Sequence, residues 1–174
     1  DIGDSKLSYD AELKFRPTDR FSASLNIKFE EGDGWLLHSM DKDFTRYNAT
    51  IWRPNFDISY FLSARQQFKI VAQWVGIKAF ERDRWYLENE GGHLKPQATA
   101  DDDKGARNFS ISRLSFQARY RWELAPLSDL FVVYTRGSNV GSNISKRFKE
   151  QLQDAWDEAL VDSLIIKLRY RMGN

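Results

Sequence analysis

The sequence predicts an all-β fold, an antiparallel transmembrane β-barrel of which this chain forms the C-terminal part, with about seven or eight strands and one short amphipathic loop helix. Three observations predict it. Apolar and polar residues alternate with period two through most of the 174 residues, which gives a strand one oily and one polar face. Several alternating runs reach ten residues or more, enough for a tilted strand to cross a bilayer, whereas strands of water-soluble proteins average about five or six. The connections alternate between short and long, as in barrels with short periplasmic turns and long outer loops.

Composition removes competing classes. There is no run of eighteen apolar residues, so no transmembrane helix is predicted. A formal net charge of +1 argues against a nucleic-acid partner. The absence of Cys removes disulfide and thiolate chemistry. No signal peptide is visible, and the chain opens at Asp1 rather than Met, as a processed product or an excised piece would.

The elements follow in order. Leu7, Tyr9, Ala11, Leu13 and Phe15 alternate with Ser8, Asp10, Glu12, Lys14 and Arg16, a strand over 6–16. A short turn at 17–20 leads to a strand at 20–30, where Phe21 to Phe29 alternate with Ser22 to Glu30. Gly32 and Gly34 mark 31–43 as a long outer loop. Residues 44–62 form a strand interrupted by Pro54, a bulge or irregular end at which a split would raise the count from seven to eight. A short connection at 63–66 precedes a strand at 67–80. The second long outer loop, 81–108, holds Gly91-Gly92, Pro96 and Asp101-Asp102-Asp103. Strands at 109–124 and 129–136 flank a tight connection at 125–129.

The third long loop, 137–161, changes period. Phe148, Leu152, Trp156 and Leu160 recur every four residues, a helix over 145–160 capped by Asn143 or Ser145. Its large apolar side chains suit a lid over the outer mouth or a docking stripe for a protein partner at the outer loops. The last strand, 162–172, puts Leu164, Ile166, Leu168, Tyr170 and Met172 on one side and Lys167, Arg169 and Arg171 on the other.

Those three cations decide the orientation. A Lys or Arg turned to lipid costs about 2–4 kcal/mol near the bilayer midplane. The polar parity therefore lines the interior: Asp10, Glu12, Lys14, Arg16, Lys28, Arg119, Arg121, Glu123, Lys167, Arg169 and Arg171. These groups form either a salt-bridge lattice that fills the barrel, the favoured reading, or an electropositive lumen for an anionic solute. The apolar parity meets membrane lipid. Beside the short turns it carries Phe15, Phe21, Tyr60, Phe68, Trp122 and Tyr170, one ring of an aromatic girdle. A second, looser ring comprises Phe29, Tyr47, Phe80 and Tyr134.

Seven strands is an odd number, and single-chain bacterial barrels have an even one. The chain is thus expected to be part of a larger barrel, with unpaired edges at 6–16 and 162–172. The N-terminal remainder would be a separate chain or a missing segment.

The run Ser112 to Arg136 ("SRLSFQARYRWELAPLSDLFVVYTR"), Phe68 to Ile77 ("FKIVAQWVGI") and the closing Lys167-Leu168-Arg169-Tyr170-Arg171 resemble the C-terminal region of a family of uncharacterised bacterial outer-membrane proteins. In that family a carbohydrate-binding-like β-sandwich precedes a large membrane barrel. The resemblance implies a barrel-forming segment, a cell outer-membrane location and no catalytic residues. The ending Arg171-Met172-Gly173-Asn174 departs from a terminal aromatic residue, leaving Tyr170 as the nearest one.

Catalytic and metal chemistry find little purchase. His38 and His93 lie apart in predicted loops and read as surface groups. Asp101-Asp102-Asp103 lacks the spaced ligands and later Glu of a calcium loop and reads as a solvated turn. Glu30-Glu31 sits at a strand end without a pocket. Trp35, Trp52, Trp85 and Tyr86 read as loop packing before a sugar-binding surface. No phosphate loop or nucleophile elbow is present, and no cofactor, metal or enzymatic activity is expected. The expected role is a channel, transporter or barrel scaffold within a larger assembly. The alternatives are a closed anchor that presents a surface or glycan-binding module, and a soluble β-barrel that holds a small ligand.

Overall fold

A computed structural model describes residues 5–88, 92–97 and 107–172. The strands are β1 (Lys6–Thr18), β2 (Phe21–Met40), β3 (Asp43–Ser63), β4 (Gln66–Leu87), β5 (Leu94–Gln97), β6 (Phe109–Ala125), β7 (Ser128–Gly141) and β8 (Val161–Arg169), with helix α1 (Phe148–Asp157) before β8. They form one antiparallel sheet of eight strands. Seven follow the order β1-β2-β3-β4-β6-β7-β8, and β5 pairs with the far end of β4. The sheet is not closed. Among the described residues β1 pairs only with β2, and β8 only with β7.

The seven strands expected along the chain are those of the main path. At one end of the sheet the hairpin turns are tight, at 19–20, 64–65 and 126–127. Leu127 takes a positive φ of 62°, a left-handed conformation uncommon for such a residue.

At the other end the sequence reading needs correction. Residues 31–40 are strand rather than loop. β2 and β3 run on as a hairpin to a two-residue turn, where Asp41 has φ 49°. Gly34, at φ 92°, falls where the register shifts between Asp33 and Trp35. The glycines therefore make a bulge, not a loop, and Trp35 beyond them packs near the Phe109 ring. Likewise β4 continues through 81–87, and Asp101 to Asp103 lie outside the described residues.

Pro54 neither splits nor shifts β3. Trp52 faces Gly76 and Asn55 faces Gln73 in one uninterrupted register, and Pro54 pairs with Ile27 on the other side. The N–H that Pro54 lacks falls in the gap of the β4 ladder.

The closely packed core is small. It holds Trp74, Leu114 and Ala155, with Trp52 and Phe148 against them, and lies between α1 and the sheet.

Candidate functional site

The register sorts every strand onto two faces. On the apolar face, Phe21, Tyr60, Phe68 and Tyr120 lie side by side across β2, β3, β4 and β6. Phe15 joins through a ring contact to Phe21 at 6.3 Å, and Phe21 meets Tyr60 at 6.2 Å. Trp122 and Tyr170 come nearer the tight turns than that row, Trp122 opposite Gln66 and Leu130, and Tyr170 just past the end of β8. Tyr120, which the sequence reading left out of the ring, completes the row.

Eight residues further along β2 and eight back along β3, a second row begins. Tyr9, Phe29 and Trp52 are consecutive ring contacts at 6.3 and 5.1 Å. The register then meets Gly76 and Ser112, which carry no ring. Helix α1 supplies one. Phe148 lies 6.4 Å from Trp52 and 6.1 Å from Trp74, above Gly76. A Cβ on Gly76 would come within 2.9 Å of Phe148 and nearer still to Trp74.

The second ring read from sequence holds only in part. Phe29 belongs to the second row. Tyr47 instead packs on Phe109 on the opposite face, at 5.1 Å, because its odd position in β3 shares the parity of Ala49 and Ile51. Between the two rows the apolar face of β1 to β6 carries no charged side chain. The apolar side chains of the two edge strands are largely uncovered: on β1 Leu13 is 66% exposed, and on β8 Ile166 is 65% and Leu168 61%.

The polar face is an ion-pair lattice. Asn26 donates to Asp10 at 2.8 Å, and Lys14 pairs with Glu12 at 3.0 Å. Arg16 pairs with Asp19 at 3.2 Å in the turn. Glu30 gathers Arg53 at 2.7 Å, Lys28 at 3.3 Å and Lys6 at 3.7 Å. Lys69 pairs with Asp57 at 3.0 Å. Arg121 and Arg169 converge from neighbouring strands on Asp129, whose side chain is almost wholly covered. Arg119 bonds Gln117 at 2.5 Å. Among the described residues neither Arg119 nor Lys167 meets a carboxylate. Glu123 stands opposite Asp129, its backbone N–H held by Arg65 O at 2.8 Å. Arg171 lies past β8, and its backbone N–H bonds Ser128 Oγ at 3.0 Å. Grooves open on this polar face, one of about 440 Å³ beside Glu30 and Arg53 and one of about 450 Å³ beside Lys69 and Arg119.

Helix α1 sits on the apolar face, not the polar one. Its buried residues are Gln151 and Ala155, with Phe148 half-buried, whereas Leu152 and Trp156 are 39% and 44% exposed. This corrects the expectation that Phe148, Leu152 and Trp156 form one buried stripe. A spacing of four residues drifts round a helix of 3.6 residues per turn, so the buried positions are 151 and 155, while Phe148 and the Trp156 ring, 5.5 Å from that of Phe116, also meet the sheet. Gln151 is fully buried although it is polar. Small residues make room for it. Trp74 Nε1 donates to Ser112 Oγ at 2.8 Å, and Ser112 donates to the Gln151 carbonyl at 2.7 Å.

The helix start also differs. Arg147 is the N-cap, and its backbone N–H and guanidinium both reach Glu150 at 2.8 Å. Asn143 instead closes a turn upstream, accepting from the Ser145 N–H at 3.0 Å. The Arg147 contacts hold the Glu150 carboxyl below the usual carboxylate range. Lys146, 2.7 Å from Asp154, does the same for that carboxyl.

The remaining candidates do not converge. His38 bonds the Asp41 carbonyl at 2.8 Å, and His93 lies in a different segment. Trp35 and Trp52 are on opposite faces, and Trp85 donates to Asp83 at 2.5 Å. Among the described residues no three His, Asp or Glu side chains gather as a metal site.

A family model described as "Domain of unknown function (DUF5916)" matches residues 2–172. No curated protein and no solved structure gives a significant match.

Proposed function

The chain belongs to the DUF5916 family, and from that premise we propose that it is a wall segment of a bacterial outer-membrane β-barrel that works as a channel, transporter or barrel scaffold. One observation carries the reading: an apolar band, uncharged across β1 to β6, between two aromatic rows and backed by a face of ion pairs. Eight residues span about 27 Å along a strand. With strands tilted by about 40°, the rows stand about 20 Å apart in height, close to the apolar band of outer-membrane barrels. The drift of the lower aromatics toward the turns, from Phe21 to Trp122 to Tyr170, is what inclined strands require for side chains at one height.

In this reading the apolar face meets lipid and the polar face lines the interior. The open edges of β1 and β8 continue into further barrel strands from the N-terminal remainder, and a carbohydrate-binding-like module is the expected companion. Helix α1 then rests outside the wall, reaching from Trp52 in the second aromatic row to Phe116 within the band. It is neither plug nor lid.

A closed anchor is the second reading, and the side chains gathered on Glu30 and Asp129 favour it, since ion-paired groups occupy the space of an interior. The full-length protein reconstituted in planar bilayers separates the two. A channel gives discrete conductance steps, and an anchor gives none. The membrane reading itself fails if the full-length protein fractionates as soluble without detergent and shows no heat-dependent shift on a gel.

A further inference from the structure

We propose that the polar face carries, across β4, β6, β7 and β8, a binding groove for a small anion with an apolar body, an aryl or alkyl carboxylate. The proposal rests on the reading of that face as a barrel interior, because there such a solute would pass it.

The argument starts from three residues that break the alternation. Phe131, Val133 and Ile165 occupy polar-face positions, since they pair with Arg121, Arg119 and Val133 in turn. Ile165 is 58% exposed. A lattice that only neutralises charge has no use for them. They floor two adjoining depressions, one of about 450 Å³ that includes Lys69, Arg119 and Arg121, and one of about 260 Å³ that includes Lys167.

The cations flank this floor on both sides. In one row Arg121, Phe131 and Lys167 follow each other; in the next, Arg119, Val133 and Ile165 do. The charges here are not matched. Asp129 serves both Arg121 and Arg169, Asp57 serves Lys69, and among the described residues Arg119 meets the neutral Gln117 and no carboxylate. Lys167 has no carboxylate partner among the described residues. A carboxylate between Arg119 and Lys167 would accept charge-assisted hydrogen bonds, while its apolar body covered Phe131, Val133 and Ile165 and left water. Low-dielectric walls would focus the field on that position. Toward the other edge of the sheet Arg53, Lys28 and Lys6 share the one carboxylate of Glu30, so each cation there reaches an acidic partner, as Arg119 and Lys167 do not among the described residues.

The test uses the full-length protein in nanodiscs and fluorine NMR with a bis(trifluoromethyl)benzoate probe. Empty nanodiscs correct for partition into lipid. Specific, saturable binding is expected. Arg119→Gln with Lys167→Gln should weaken it about tenfold, since a hydrogen bond to a charged group carries roughly that effect. Phe131→Ser should weaken it as well, and Arg53→Gln should not. The neutral amide of the probe and inorganic phosphate should each bind at least several-fold more weakly. A heat-dependent gel shift confirms that each variant is folded. Absence of saturable binding, equal affinity for the amide, or unchanged affinity in the double variant overturns the proposal. Loss of membrane insertion with retained binding would instead overturn the barrel reading.

Discussion

Arg136 donates from Nε and Nη2 to the carbonyl oxygen of Trp156, at 2.9 and 2.5 Å, and its guanidinium lies 5.2 Å from the centre of the Trp156 ring. It also pairs with Asp162 on β8. A cation on the apolar face would otherwise be anomalous. Here it satisfies a carbonyl at the helix C-terminus, where the backbone has no intrahelical donor and the dipole favours positive charge. Arg136→Met should leave the strand intact, free the end of α1 and strand Asp162. Proteolysis between 142 and 160 should then quicken several-fold, with the β-sheet circular-dichroism signal retained.

Gly76 is a seat for Phe148 and Trp74. Gly76→Val should push α1 off the sheet and cost about 1–3 kcal/mol, the usual penalty of overpacking. Urea unfolding in lipid vesicles measures it. The companion change Phe148→Ala should also destabilise, by about 3–5 kcal/mol at most because the ring is only half-buried.

The two faces should respond oppositely to charge. Leu25→Arg, in the middle of the apolar band, should cost about 2–4 kcal/mol if that band lies at the bilayer midplane. Gln117→Arg, on the polar face, should be tolerated. Equal effects on insertion and on urea midpoints would contradict the assignment of the faces.

Acid should loosen α1. Asp154 and Glu150 have carboxyl pKa values lowered by Lys146 and Arg147. A group with a depressed folded pKa stabilises fully above its unfolded value, and that stability fades as pH falls through the folded value. Docking of the helix should therefore be constant from neutral pH down to the ordinary carboxylate range and weaken only below it. Lys146 has a raised pKa, so its share is complete below the ordinary lysine range and fades as pH rises through the raised value. Hydrogen exchange at 148–157, read against pH in Lys146→Met and the parent chain, checks both limbs. A helix equally protected in the two proteins would refute the pairing.

Period two in Leu7 to Phe15 and Phe21 to Phe29 made the strands and their faces legible, because a side chain's parity depends only on local backbone geometry. For the same reason the charges at Lys14, Arg121 and Arg169 could be assigned to one face. Glu31 to Gly34 misled because glycine marks both loops and bulges, and only the partner strand carrying Tyr47 tells them apart. Gln151 is illegible as a packing residue for a similar reason: its polarity hides that the sheet offers the helix Gly76 as a seat for Phe148 and the Ser112 hydroxyl to the Gln151 carbonyl.

By itself, then, the sequence determined alternation, strand order by adjacency, and which residues share a face. The tertiary structure alone decided where α1 lies, how far the hairpins run, and which cations share Asp129 and which go unmatched among the described residues. The division is physical. Parity is written into each residue's neighbours along the chain, whereas register, helix docking and ion pairing join residues tens of positions apart and exist only once the strands have aligned.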